Sequence, residues 1–273
     1  MKPAHSKCMC SSFRKWGLLV VGLYWLTASA TANAAATNFD GTPVPGCSFS
    51  GTTYTCASSP SSPSDAVTLA ASITVNMINY VNIYASTAAL GANSVINGGL
   101  IANSTVALGA SAQVNGPLTA GTTVALGAGA YVNGDLTAGT TVAVGADSFV
   151  NGNLTGGTTV SVGAGAYVTR NLTAGTTLDF GAGAFVCRNL RAQTATLGAT
   201  AYVNRNLRAT TATLGANAYV NRNIRATTAT LGAGACYATQ TTTTLTLGAG
   251  AGVCPLPRPV TICRPIIYRR ENY

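Results

Sequence analysis

Six cysteines and two columns of arginine are the side chains here whose type and spacing promise chemistry. Cys47, Cys56, Cys187, Cys236, Cys254 and Cys263 all follow a basic, apolar leader. An even number of cysteines in an exported chain points to disulfides, although sequence does not choose among the possible pairings. Cys47 with Cys56, and Cys254 with Cys263, are the natural local pairs, each stapling a terminal segment. Cys187 and Cys236 lie three repeats apart, roughly 14 Å at the spacing of neighbouring strands. A disulfide wants Cα atoms within about 7 Å, so these two are not expected to pair in one molecule. One or both are left to reach a terminal segment or a second subunit.

Other chemistry is scarce. His5, Lys2, Lys7 and Lys15 all sit in the leader, so the remaining chain has neither Lys nor His. That leaves no base for a nucleophilic cysteine. Asp135, Asp147 and Asp179 occupy three different repeat positions, so no carboxylate pair of the glycosidase kind is lined up. Beyond the cysteines there is no metal cluster, nor the regularly spaced Asp of calcium-binding solenoids. The expectation is a protein that is not an enzyme and takes no cofactor, metal or small-molecule substrate.

The elements that must carry these residues follow from a repeat. The phrase is clearest in Thr122 to Gly139, TTVALGAGAYVNGDLTAG. Taking the glycine of its Leu-Gly-Ala step as a marker, copies fall at Gly91, Gly109, Gly127, Gly145, Gly163, Gly181, Gly198, Gly215, Gly232 and Gly248. The step is 18 residues, then 17, and finally 16. A period this short fits neither a helical hairpin repeat nor a propeller blade; it fits one coil of a β-solenoid. Such a coil cannot bury its own apolar face and is stabilised by its neighbours.

Alternation places three sets of side chains inward. The first precedes the marker, as in Val106/Leu108 and Val124/Leu126. The second lies five residues after it: Ile96, Val114, Val132, Val150, Val168, Val186, Val203 and Val220. The third lies nine after it, from Leu100 through Leu190 and Leu207 to Ile224. The fold class expected is all-β: a single-stranded β-solenoid of about eleven coils, 16–18 residues each, with three short strands per coil joined at Gly, Ala and Asn corners. An irregular first coil is expected over Asp65 to Asn82.

Residues 1–34 read as a secretory signal cleaved after Ala34. Residues 35–64 read as an N-terminal cap with the Cys47–Cys56 staple, 65–250 as the solenoid, and 251–273 as a Pro/Arg-rich tail. That tail is expected to fold back over the last coil or to dock on another subunit. After residue 34, eleven arginines face six acids, a formal charge of +5, and every arginine lies at or beyond Arg170. The rod is charge-asymmetric, acidic in front and cationic behind.

Three surfaces stand out. Arg170, Arg188, Arg205 and Arg222 hold the position seven after the marker, and Arg191, Arg208 and Arg225 the position ten after it. Like charges stacked this closely repel. Either carbonyls and Asn amides take up their donors, or the ladder faces a polyanion or an acidic partner surface. Nucleic acid is not expected, since no recognition helix or base-stacking surface is evident. Tyr131, Phe149, Tyr167, Phe185, Tyr202 and Tyr219 form an outward aromatic stripe, for stacking between coils or for lateral contact. Thr194/Thr196, Thr211/Thr213 and Thr228/Thr230 build a Thr-x-Thr face of the kind that binds ice, provided the second threonine faces out.

The phrase GAGAYVNGDL followed by a Thr/Val strand resembles the coils of bactofilins, bacterial solenoid proteins whose rods join end to end into filaments. It is also similar to the windings beside some ice-binding-like secreted bacterial proteins. The likeness spans about residues 87 to 236, while the leader and cysteines depart from the bactofilin pattern. It implies a rod able to polymerise. The function expected is an exported structural subunit that assembles with copies of itself into an extracellular or cell-surface fibre of a bacterium. The alternative is a monomeric module holding acidic polysaccharide on its arginines or ice on its threonines.

Overall fold

The computed structural model describes residues 36–254 and Cys263. The expected leader and the segments 255–262 and 264–273 lie outside the described residues. Within them the chain is all-β, with almost no helix, and winds as a parallel β-solenoid of about eleven turns. Three ladders run along it. The first stacks four-residue strands such as Thr123–Leu126, Thr141–Val144 and Thr159–Val162, with Val124 beside Val142 and Val142 beside Val160. The second stacks two-residue strands, Tyr131–Val132 on Phe149–Val150 and onward. The third stacks Leu118–Ala120, Leu136–Ala138 and Leu154–Gly156.

All three expected inward columns are buried, from Val106 and Val114 to Leu100 and Ile224. Two further columns of small residues complete the core. Ala112, Ala130, Ala166 and Ala184 lie three after the marker, and Ala102, Ala120, Ala138 and Ala174 eleven after it. They turn the corners where a larger side chain would not fit. Ser94 and Ser148 stand in the first of these columns, buried, and each donates its hydroxyl to a marker-glycine carbonyl, of Gly91 at 2.7 Å and Gly127 at 2.9 Å.

The glycines have a steric cause. A Cβ on the marker Gly145 would lie 2.5 Å from the carbonyl carbon of Gly127 in the coil below. At the corner before the Thr pair the fit is tighter, and a Cβ on Gly157 would lie 1.8 Å from the oxygen of Gly139. From Gly181 onward that corner glycine is missing, since Ala192-Gln193-Thr194 replaces Ala174-Gly175-Thr176-Thr177. This deletion accounts for the 17-residue period. The last, 16-residue coil loses one more residue between Tyr237 and Thr239, opposite Val220 and Asn223, where the register shifts.

The irregular first coil has a local cause too. Between β5 (Thr74–Met77) and β6 (Ile83–Ala85) a short 3₁₀ turn, Ile78–Tyr80, inserts extra residues, with Asn79 at φ 59°. Below it, β1 (Ala36–Phe39) already continues the first ladder by pairing in parallel with β4 (Ala66–Leu69). An antiparallel hairpin of β2 (Cys47–Ser50) and β3 (Thr53–Cys56) follows, its β3 pairing in parallel with β5.

The two ends differ. At the front, Phe39 and Tyr54 are fully buried and meet edge to face at 4.9 Å. The Tyr54 hydroxyl donates to Thr42 O at 2.7 Å and accepts from Gly41 N at 2.8 Å, which closes the core beneath the ring. The Ser/Pro-rich run covers the edge of β6: Ser61 Oγ donates to Tyr84 O, and Tyr84 N donates to Ser59 Oγ. At the rear, the long strand Cys236–Leu247 pairs along its length with Tyr219–Leu231 below. Above, only Cys236 and Tyr237 are paired, to Gly252 and Val253. Residues 238–247 therefore present an outer edge with no partner among the described residues.

Candidate functional site

Two disulfides form among the described residues. Cys47–Cys56 closes the front hairpin as expected. Cys254 pairs with Cys236, not with Cys263, which corrects the local pairing. The reason lies in the winding: the final 16-residue turn brings Gly252 over Cys236, and Cys254, two residues further on, comes within bonding reach of it. Cys187 and Cys236 do not pair with each other, and Cys187 and Cys263 remain as thiols.

Those two thiols meet. Cys187 stands six after the marker, in a column held by Asn97, Asn115, Asn133 and Asn151 below, by Thr169 in the adjacent coil, and by Asn204 and Asn221 above. Elsewhere that column is a ladder of amides, as in Asn115 Nδ2 donating to Asn97 Oδ1 at 2.6 Å and Asn221 Nδ2 to Asn204 Oδ1 at 2.9 Å. At the break, Asn204 Nδ2 reaches Cys263 Sγ at 3.2 Å, and Cys263 Sγ lies 4.0 Å from Cys187 O. The Tyr167 hydroxyl sits 2.7 Å from Cys187 Sγ. Burial first, and then the contact with Cys263, pushes the Cys187 thiol up to about 12. Burial also holds the Tyr167 hydroxyl protonated. Cys236 is thus bonded inside the chain, while Cys187 faces Cys263.

The aromatic residues form a continuous stack. Successive rings from Tyr131 to Tyr219 lie 4.7–5.2 Å apart and within 11° of parallel. The rings face away from the core but cover one another, and Tyr219 is buried. Each such pair contributes about 0.5–1.5 kcal/mol beyond area burial, so stacking between coils is what the column does.

The threonine alternation holds. Thr196, Thr213 and Thr230 are exposed beside Thr194, Thr211 and the half-buried Thr228, all in register. Thr244 and Thr246 extend both columns. A separate hydroxyl ladder one corner earlier is not evident from alternation alone. There Thr140, Thr158 and Thr176 each donate to the carbonyl of the threonine below at 2.8–2.9 Å.

All seven arginines of the two columns are exposed. The Asn residues between them do not take up their donors. Asn171, Asn189 and Asn206 bond instead to one another, Nδ2 to Oδ1, at 3.0 and 2.9 Å. Arg191, Arg208 and Arg225 line a groove of about 540 Å³ along the shortened corner, beginning at Gly175. Ala192, Ala209 and Ala226 form its floor, and Gln193, Thr210, Thr227 and Thr241 to Thr243 its polar wall. Arg170, Arg188 and Arg205 line a smaller groove of about 320 Å³ that contains the thiol pair. Arg222 lies outside both.

Comparison with family models, curated proteins and solved structures finds no match.

Proposed function

We propose that the chain is an exported structural subunit that assembles head to tail into an extracellular or cell-surface fibre. The observation that carries this reading is the rear edge, 238–247, which no described residue pairs. The stretch 238–247 has no charge and no proline, the devices that normally blunt an edge strand, and Leu247 and Val253 beside it are 47 % and 69 % exposed. The front end offers a matching template, because the outer edge of β1 is free among the described residues and lies in the first ladder. Thr244 to Leu247 of one copy laid on Ala36 to Phe39 of the next would continue that ladder in parallel. Such a heterologous contact repeats without closing and generates a fibre.

Charge favours the same orientation. Arg222 and Arg225 lie one coil from the rear edge, while Asp40 and Asp65 flank the front strands. Cleavage after Ala34 would leave β1 next to the new terminus, so export would come before assembly. Two disulfides suit an oxidising compartment.

Electron microscopy and sedimentation of the secreted protein test the reading. The wild type is expected to form fibres one solenoid wide that shorten as salt rises, because salt screens the opposite charges across the joint. The variant Thr244→Lys/Leu247→Lys is expected to remain a single solenoid with unchanged circular dichroism. A wild type that stays monomeric under every salt and redox condition, or a variant that polymerises like it, refutes the proposal.

A further inference from the structure

We propose that the corner groove of Arg191, Arg208 and Arg225 binds a linear acidic polysaccharide, one acidic sugar to each coil. This does not depend on whether the solenoids join into fibres. The three arginines stack in register, Arg191 beside Arg208 and Arg208 beside Arg225. Their spacing is that of neighbouring parallel strands, about 4.8 Å, the same order as the length of one pyranose in an extended glycan. Among the described residues no carboxylate lines the groove, and the three guanidinium groups hydrogen-bond to none of them. Three cations held side by side, their donors unused by the described residues, are costly as a folding device. They are well placed as a row of forks for carboxylate or sulfate.

The surroundings match the rest of a sugar. Thr210, Thr227 and Gln193 supply hydroxyl and amide groups along the wall, suited to the neutral hydroxyls of a glycan. The groove runs along the coils that have lost the corner glycine, and the deletion and the arginine column arrive together after Gly175. Among the described residues its lining contains no aromatic ring. Single-stranded nucleic acid binds largely by stacking its bases on such rings, which favours a glycan over RNA or DNA as occupant.

The test is titration of the purified protein with oligogalacturonate, with neutral dextran and with oligothymidylate of equal charge. Oligogalacturonate is expected to bind with an affinity that falls as salt rises, and dextran not to bind. Arg191→Gln/Arg208→Gln/Arg225→Gln is expected to weaken oligogalacturonate by about ten-fold, as the loss of three exposed ion pairs implies. Arg208→Gln alone should give a smaller loss, and it decides the matter if the triple variant fails to fold. Unchanged affinity in these variants overturns the proposal. So does oligothymidylate binding as tightly as the glycan, which would mark the groove as a nucleic-acid or unselective polyanion site.

Discussion

Cys187 is a thiol built into a ladder of amides, and its position governs its reactivity. Burial and the nearby Cys263 push it up to about 12, so between pH 7 and 9 it stays protonated and a poor nucleophile. Alkylation of the native protein at pH 8 is therefore expected to modify Cys263 well before Cys187, read by peptide mass spectrometry. Equal labelling would mean that the pocket is open. The same shift makes stability fall with pH. An unfolded cysteine ionises near 9, so the folded state keeps its advantage below that value and loses it progressively as pH climbs toward 12. Sequence spacing made the Cys187 problem visible, because no cysteine at its own height on the rod was available. It did not reveal the partner, since contact with Cys263 depends on where the chain goes after Cys254. The Cys236–Cys254 bond was legible in part, because 18 residues is close to one turn of the coil, which here takes 16. The shorter gap to Cys263 looked more natural only when the coil was ignored.

Each strand is held by the strands above and below it, so the consequence of a core substitution depends on its column. Leu154 is fully buried in the third ladder between Leu136 and Leu172. Leu154→Asp places an unpaired carboxylate there at a cost of several kcal/mol, and the expected result is local rupture of the solenoid or failed export. Leu154→Ala should cost about 2–5 kcal/mol, whereas half-buried Thr141→Ser should be nearly silent. Protease resistance and circular dichroism separate these outcomes, and equal behaviour of Leu154→Asp and Thr141→Ser would contradict the inward and outward assignment. The large apolar columns were readable from the alternation of Val and Leu with Thr. The buried columns at Ala112 and Ala102 were not, because alanine is as common outside a core as inside. The arginine groove was half legible. Its column could be counted, but the recess along it comes from a one-residue deletion whose geometry a period of 17 does not disclose.

For the molecule as a whole, the front and the rear are built differently. Phe39 and Tyr54 plug the front beneath the first coil, while among the described residues the rear presents an uncharged strand edge with Leu247 and Val253 exposed. The periodic sequence announced a solenoid but said little about its ends, since a repeat describes only the interior of an array. Head-to-tail joining makes a specific geometric demand. Thr246 continues the column of Thr230 at the rear, and Asn38 begins the column of Thr68 at the front. A fibre would set Thr246 of one copy directly beside Asn38 of the next, near the 4.4–6.8 Å between Cα atoms that a disulfide spans. The most direct measurement is oxidation of the secreted double variant Asn38→Cys/Thr246→Cys, followed by a non-reducing gel. Head-to-tail assembly predicts a ladder of covalent oligomers that collapses on reduction, with no ladder from the wild type or from either single variant. A double variant that remains monomeric, or stops at dimers, would contradict it.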